Sequence, residues 1–187
     1  MGRQKEEGGL IMKTYVIMLS QTFPATHPRK GEQTYFKEKF INRNGYLYEH
    51  QDDDLYTDEF AEQPIQRKIH TIRANYPLWR ERFNQIARGE ACLSVRQWSG
   101  KPYASKQREI ARLTKEDGIG LQVLTLLRST SGEILVKTDV AENVYKYIKS
   151  ETIAANDGLS LEDWSNWFKS YDMSKPLAII HFTPFRY

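Results

Sequence analysis

The sequence predicts a single mixed α/β domain of the α+β kind, in which several short strands form a small barrel or half-barrel flanked by helices. Three observations carry this. A chain of 187 residues that is 40% hydrophobic and 12% aromatic can bury one sizeable core but would be cramped as two domains. β-Branched and aromatic runs of strand length recur along it, bounded by Gly, Pro and Ser. Helical periodicity is confined to a few stretches, with no strand–helix–strand rhythm and no internal repeat.

Taken in order, residues 1–11 are polar and Gly-containing and are expected to be a disordered tail ahead of a domain at 12–187. Residues 14–20 (TYVIMLS) hold no breaker and read as a buried first strand, followed by a loop at 21–31 with Pro24, Pro28 and Gly31. In 35–41 (YFKEKFI), Tyr35, Phe36, Phe40 and Ile41 fall near helical spacing with charges between them, which predicts a short amphipathic helix. Between Asp52 and Glu62 there are six acids and no Lys or Arg, so 45–66 reads as an exposed acidic insertion. Asp52, Asp53 and Asp54 do not alternate and lack the central Gly and closing Glu of a calcium loop, so no dedicated metal site is expected.

Pro77 opens a helix, PLWRERFNQIARG, with Gly89 as its stop and Trp79, Phe83 and Ile86 on one face. Residues 91–98 (ACLSVRQW) end at Ser99-Gly100 and favour a strand; 108–113, 120–127 and 133–138 continue the strand-rich stretch. Ser160 to Asp163 resembles a capping box and begins a helix through Trp164, Trp167 and Phe168. Residues 177–182 (LAIIHF) close the chain's apolar pattern as a buried strand.

Composition narrows the functional classes. No run approaches the roughly 20 apolar residues that span a bilayer, and the N-terminus lacks a secretory signal pattern. A lone Cys92 excludes an internal disulfide and a Cys-based zinc site, which points to a soluble, cytoplasmic chain. His27, His50, His70 and His181 show no metal-ligand spacing, and Ser94 and Ser105 have no His or acid at a triad spacing. Nothing calls for a cofactor, and nothing sets an oligomeric state. The window 67–112 holds eleven Lys/Arg and three Asp/Glu, a balance of +8, against 16 and 21 elsewhere, a balance of −5. Such asymmetry is the footprint of a polyanion partner, and equally of a solvated face compensated by acids nearby in space.

Within that window KIHTIR (68–73) has the most informative spacing. On an extended strand Thr71 and Arg73 point to one side and Lys68 to the other, so Lys68 meets Thr71 only if the chain turns as it enters. Such a turn would fold the ammonium over the hydroxyl, with Arg73 beside it as an anion or carbonyl anchor and His70 at the pocket wall. Trp98, Lys101 and Tyr103 in QWSGKPYASKQ, with Arg96 on the strand before them, combine aromatic and basic groups suited to base stacking and phosphate contact, although core packing suits Trp98 equally.

The order QRKIHTIR, a helix, GEACLSVRQWSG, ANDGLSLEDWSNWF and PLAIIHFTPF resembles the ASCH family of PUA-like domains, from about Thr14 to Phe182. That family carries a Gly-x-Lys-x-x-Glu/Thr-x-Arg string at the mouth of a small β-barrel. Lys68, Thr71 and Arg73 fall on its last three fixed positions, and Gln66 stands at the Gly position. The resemblance implies a PUA-like pseudobarrel and an RNA or nucleoside partner. A bacterial subgroup with Lys, then Thr three later, then Arg consists of amidohydrolases acting on N4-acetylcytidine, with a Glu before a later helix, where this chain has the shorter Asp157. By that resemblance Lys68 is the general base, Thr71 the nucleophile, Arg73 an orienting or oxyanion-side group, and Asp157 an acid/base or base-edge contact. A Lys can deprotonate Thr only if burial or nearby positive charge depresses its pKa. Three readings stand: an RNA- or nucleoside-binding module, an N4-acylcytidine amidohydrolase, and a protein-interaction domain using the acidic insertion and basic face.

Overall fold

The computed structural model describes residues 12–45, 66–130, 133–141 and 144–187. The tail expected at 1–11, and all but the two ends of the acidic insertion, lie outside the described residues. The elements run β1 (Lys13–Met18), α1 (Phe36–Ile41), β2 (His70–Arg73), α2 (Tyr76–Ala87), β3 (Ala91–Trp98), β4 (Gln107–Leu113), β5 (Gly120–Arg128), β6 (Ile134–Ala141), β7 (Val144–Ile148), α3 (Ser150–Asn156), α4 (Leu161–Phe168) and β8 (Leu177–His181).

The strands form two sheets, one of three in the order β1-β3-β4 and one of five in the order β2-β8-β5-β6-β7. β1 runs parallel to β3, with Thr14 opposite Cys92 and Ile17 opposite Val95. A parallel pair needs a crossover, and this one takes in α1, β2 and α2, too much chain to register as a local strand–helix–strand rhythm. The five-stranded sheet is antiparallel throughout. Among the described residues neither sheet closes on itself, so the barrel expected from the strand count is an α+β arrangement of two open sheets around a common core. Strand number and length are local properties, whereas closure depends on which edges pair.

β8 lies between β2 and β5 and is buried along its whole length, which accounts for its unbroken LAIIH run. α2 starts at Asn75, whose side-chain oxygen accepts from Leu78 N at 3.2 Å, and stops before Gly89 at φ 76°. Its Trp79, Phe83 and Ile86 enter the core as the spacing predicts. The Ser160 hydroxyl caps α4 by accepting from Asp163 N at 3.0 Å, but the Asp163 carboxylate turns away to Arg29 Nη1 at 2.8 Å, so the expected box is only half made. β7 and α3 were not expected from the sequence. VYKYI runs almost directly into SETIAAN with no Gly or Pro between them, and α3 is too short to display a period. Among the described residues no helix is long and apolar enough to cross a membrane.

Candidate functional site

Three segments distant in sequence build one cleft. Lys68 sits just before β2, its N–H donating to Lys39 O of α1 at 2.9 Å, while Ile69 N donates to Asn156 O at the end of α3, also at 2.9 Å. These two bonds set the turn by which the chain enters β2. Asp157 ends α3, and Gly158 follows at φ 78°, a conformation that suits glycine. A Cβ on Gly158 would stand 3.2 Å from Lys68 Cβ and 3.3 Å from Lys39 Cδ, so the missing side chain is what lets the two lysines approach. Lys39 Nζ in turn donates to Gly158 O at 2.8 Å.

Lys68 Nζ donates to Asp157 Oδ1 at 2.5 Å and to Asp157 O at 2.6 Å, and lies 4.0 Å above the Phe36 ring. Thr71 Oγ1 accepts from Arg73 Nη1 at 2.8 Å. Arg73 also donates to Ile72 O at 2.9 Å and Met18 O at 2.6 Å, so its guanidinium is fixed by the protein backbone before any ligand arrives. Lys68, Thr71, Arg73 and Asp157 all line a cleft of about 450 Å³, with Trp98 from the end of β3, Pro102 and Tyr103 from the β3–β4 loop and Trp167, Phe168 and Tyr171 from the α4 region. The convergence of Lys68, Thr71 and Asp157, separated by up to 89 positions, is the central geometric fact of the site.

Burial governs the electrostatics. It lowers the Lys68 pKa, with Arg73 acting in the same direction and Asp157 opposing. It raises the Asp157 pKa, with Lys68 and Arg73 opposing. Each group's charged form is thus disfavoured by desolvation and favoured by the other, the condition for a pair that can pass a proton across a short contact. Lys39 is pushed down to about 8 by burial and by the Lys68 charge. The Thr71 hydroxyl accepts from Arg73, so its own hydrogen remains to be donated. Among the described residues Lys68 and Thr71 share no direct hydrogen bond, Lys68 being turned to Asp157 instead.

Other expected binding residues lie elsewhere. His70, wholly buried, is on the opposite side of β2 from Thr71 and behind the cleft rather than on its wall. Strand alternation dictates this. Arg96 lies along β3 and β4, donating to Ser94 Oγ at 2.7 Å and standing 3.6 Å from Glu109, and does not line the cleft. Lys101 is exposed in the β3–β4 loop and is likewise not on the wall. Tyr103 is at the cleft, 92% exposed, with φ 62° and its ring 5.4 Å from that of Trp98. The basic window is less of a face than its charge count suggests. Lys68 and Arg73 are turned inward, while Arg88 pairs with Glu90 at 2.7 Å and Arg112 meets Glu109 at 3.1 Å, acids that the +8 balance already counts. Sequence reasoning missed Phe36, Lys39, Tyr171 and the 18–22 segment as site residues; Trp167 and Phe168 were read only as a helix face, because nothing local marks which face meets the cleft.

No family model, curated protein or solved structure matches the chain, so the chemistry of this cleft is read from its own residues.

Proposed function

We propose that the chain is an ASCH-like module, PUA-like in architecture, whose cleft receives one nucleoside or one base splayed out from RNA. The observation that carries this reading is the convergence of Lys68, Thr71, Arg73 and Asp157 on a cleft with aromatic walls. Its volume of about 450 Å³ is of the size that encloses small ligands. Trp98 and Tyr103 offer faces for a planar ring, and the polar wall offers both donors and acceptors for a base edge. With Lys68 and Arg73 turned into the cleft rather than outward, the window's two most distinctive cations serve a pocket for one base. Calorimetry with cytidine, N4-acetylcytidine and a short single-stranded RNA tests it. Saturable binding lost in Trp98→Ala is the expected result. Absence of binding to all three at low salt and millimolar ligand would overturn it.

A second reading, hydrolysis of an N4-acylated cytidine, is favoured by the Thr71 hydroxyl sharing its cleft with the Lys68–Asp157 pair. Thr71 Oγ would attack the acyl carbonyl carbon and pass its proton to the pair. Collapse of the tetrahedral intermediate would return a proton to the departing exocyclic N4 amine, and water would then release the acyl group from Thr71 as a carboxylic acid. Chromatography of N4-acetylcytidine digests should show cytidine with wild type, less with Thr71→Ser, and none with Thr71→Ala. Equal cytidine release by wild type and Thr71→Ala would remove the nucleophile and leave a binding cleft.

A further inference from the structure

Behind the cleft, on the side of β2 away from Thr71, lies a buried polar cluster that neither reading uses. Asn156 Nδ2 donates to Tyr187 Oη at 2.9 Å, and Tyr187 Oη lies 2.8 Å from His70 Nε2. The other imidazole nitrogen, Nδ1, stands 3.9 Å from Asp157 Oδ1. That is the same carboxylate oxygen that accepts from Lys68. Tyr187 is held in turn by its backbone N–H, which donates to Gln122 Oε1 of β5 at 2.9 Å.

Donor and acceptor accounting assigns the protons. The phenol oxygen already accepts from Asn156, and its own hydrogen has one partner within reach, His70 Nε2. If Nε2 carried the ring hydrogen instead, the phenol would receive two donors, its hydrogen would be left unpaired in the interior, and the Nδ1 lone pair would face the Asp157 carboxylate with no donor between them, two costs against one unpaired N–H. The imidazole is neutral, because burial and the neighbouring His181 and Lys68 hold its pKa well below the usual value. A neutral ring that accepts at Nε2 carries its hydrogen at Nδ1, on the side of Asp157, where it makes no hydrogen bond and acts on the carboxylate as a dipole across 3.9 Å.

We propose that Tyr187 and His70 are positioning residues for the Lys68–Asp157 pair: the phenol fixes the imidazole as its Nδ1–H form, whose N–H dipole faces the Asp157 carboxylate and steadies its charged state. The inference rests on the reading that this pair is the working part of the cleft. The ionisable groups facing Asp157 are Lys68, His70 and Arg73 at β2, Lys39 of α1, and Tyr187. Four of them supply positive charge or an N–H to the carboxylate. Tyr187 supplies neither and acts through the ring between them.

The test is nuclear magnetic resonance on the full chain, without ligand. Long-range proton–nitrogen spectra of wild type should show His70 as the Nδ1–H tautomer. In Tyr187→Phe the ring loses its donor, and the Nδ1–H preference should weaken or reverse. The Asp157 carboxyl titration should then move to higher pH, by about half a unit to one unit, since a carboxylate that loses a facing N–H is less stabilised. Asn156→Leu is the control, because it leaves the phenol free to donate and should keep the wild-type tautomer. An Nε2–H ring in wild type overturns the proposal, as does a tautomer change that leaves the Asp157 titration unmoved. A merely structural Tyr187 would alter the melt but not the titration. Failure of nucleosides to bind wild type would sink the proposed function while these spectra still report on the relay.

Discussion

Lys68 Nζ and Asp157 Oδ1 meet at 2.5 Å with side-chain exposures of 1% and 5%, tying the entry of β2 to the end of α3 inside the protein. Removing one member of a buried pair strands the other, which costs about 3–5 kcal/mol. Lys68→Met and Asp157→Leu should each lower stability by that order in urea titration. The double variant should be appreciably more stable than the sum of the two losses predicts, because neither charge is then left alone. Strict additivity would mean that the two groups do not depend on each other.

Gly158 makes this pair possible, so it should tolerate little. Alanine there takes on an unfavourable positive φ, at about 1–2 kcal/mol, and brings a Cβ to 3.2 Å from Lys68 Cβ. Gly158→Ala is expected to destabilise by about that amount or more and to weaken nucleoside binding, as read by thermal melts and calorimetry. Unchanged affinity would mean that Lys68 accommodates the methyl group without moving.

Phe83 lies on the buried face of α2. Phe83→Ala should cost about 3–5 kcal/mol in denaturant titration through lost burial and an imperfectly filled cavity. A midpoint within error of wild type would mean that this face does not contribute to the core.

Tyr103 provides the opposite contrast, being 92% exposed at φ 62° and on the cleft. Surface substitutions ordinarily change stability by no more than about 0.5 kcal/mol. Loss of a base-stacking ring costs about 1–3 kcal/mol of binding. Tyr103→Ala should therefore leave the melt nearly unchanged while weakening nucleoside binding by about 5- to 150-fold. An unchanged affinity would take Tyr103 out of the ligand's reach.

Stability should fall on acidification. Burial, followed by the Arg186 charge, holds the His181 pKa down to about 3 from the usual 6.5. Between those values the unfolded chain binds the proton and the folded one does not. The contribution is thus complete above about 6.5 and lost as pH falls toward 3. Lys39, lowered to about 8 from 10.5, acts with the same sign at the alkaline end: its contribution is full above 10.5 and lost as pH falls through about 8. In urea titrations, His181→Phe should flatten the acid limb and Lys39→Met the alkaline one. A slope that neither variant alters would assign the pH dependence to other groups.

Much of the local structure was legible because its causes are local. Trp79, Phe83 and Ile86 share a face by helical spacing, Pro77 and Gly89 bracket α2, Ser160 caps α4, and the unbroken LAIIH run marks a strand buried along its whole length. KIHTIR could be singled out as a candidate because its alternation puts Thr71 and Arg73 together and demands a turn at Lys68, and all three line one cleft. Only the tertiary structure decided the rest. Whether strands close into a barrel depends on edge pairing, which has no signature within any one strand. His70 was moved from the cleft wall to the buried network behind it by the same period-two alternation that turns Thr71 toward the cleft. Lys68 and Arg73 were removed from a supposed positive face by turning into the cleft, a direction that no charge count contains. The Lys68–Asp157 contact depends on the segment ahead of β2 meeting the end of α3, on a glycine with positive φ, and on burial that shifts both pKa values. Sequence spacing sets the order of these groups along the chain, but their chemistry arises from distances and desolvation that exist only once the chain has folded.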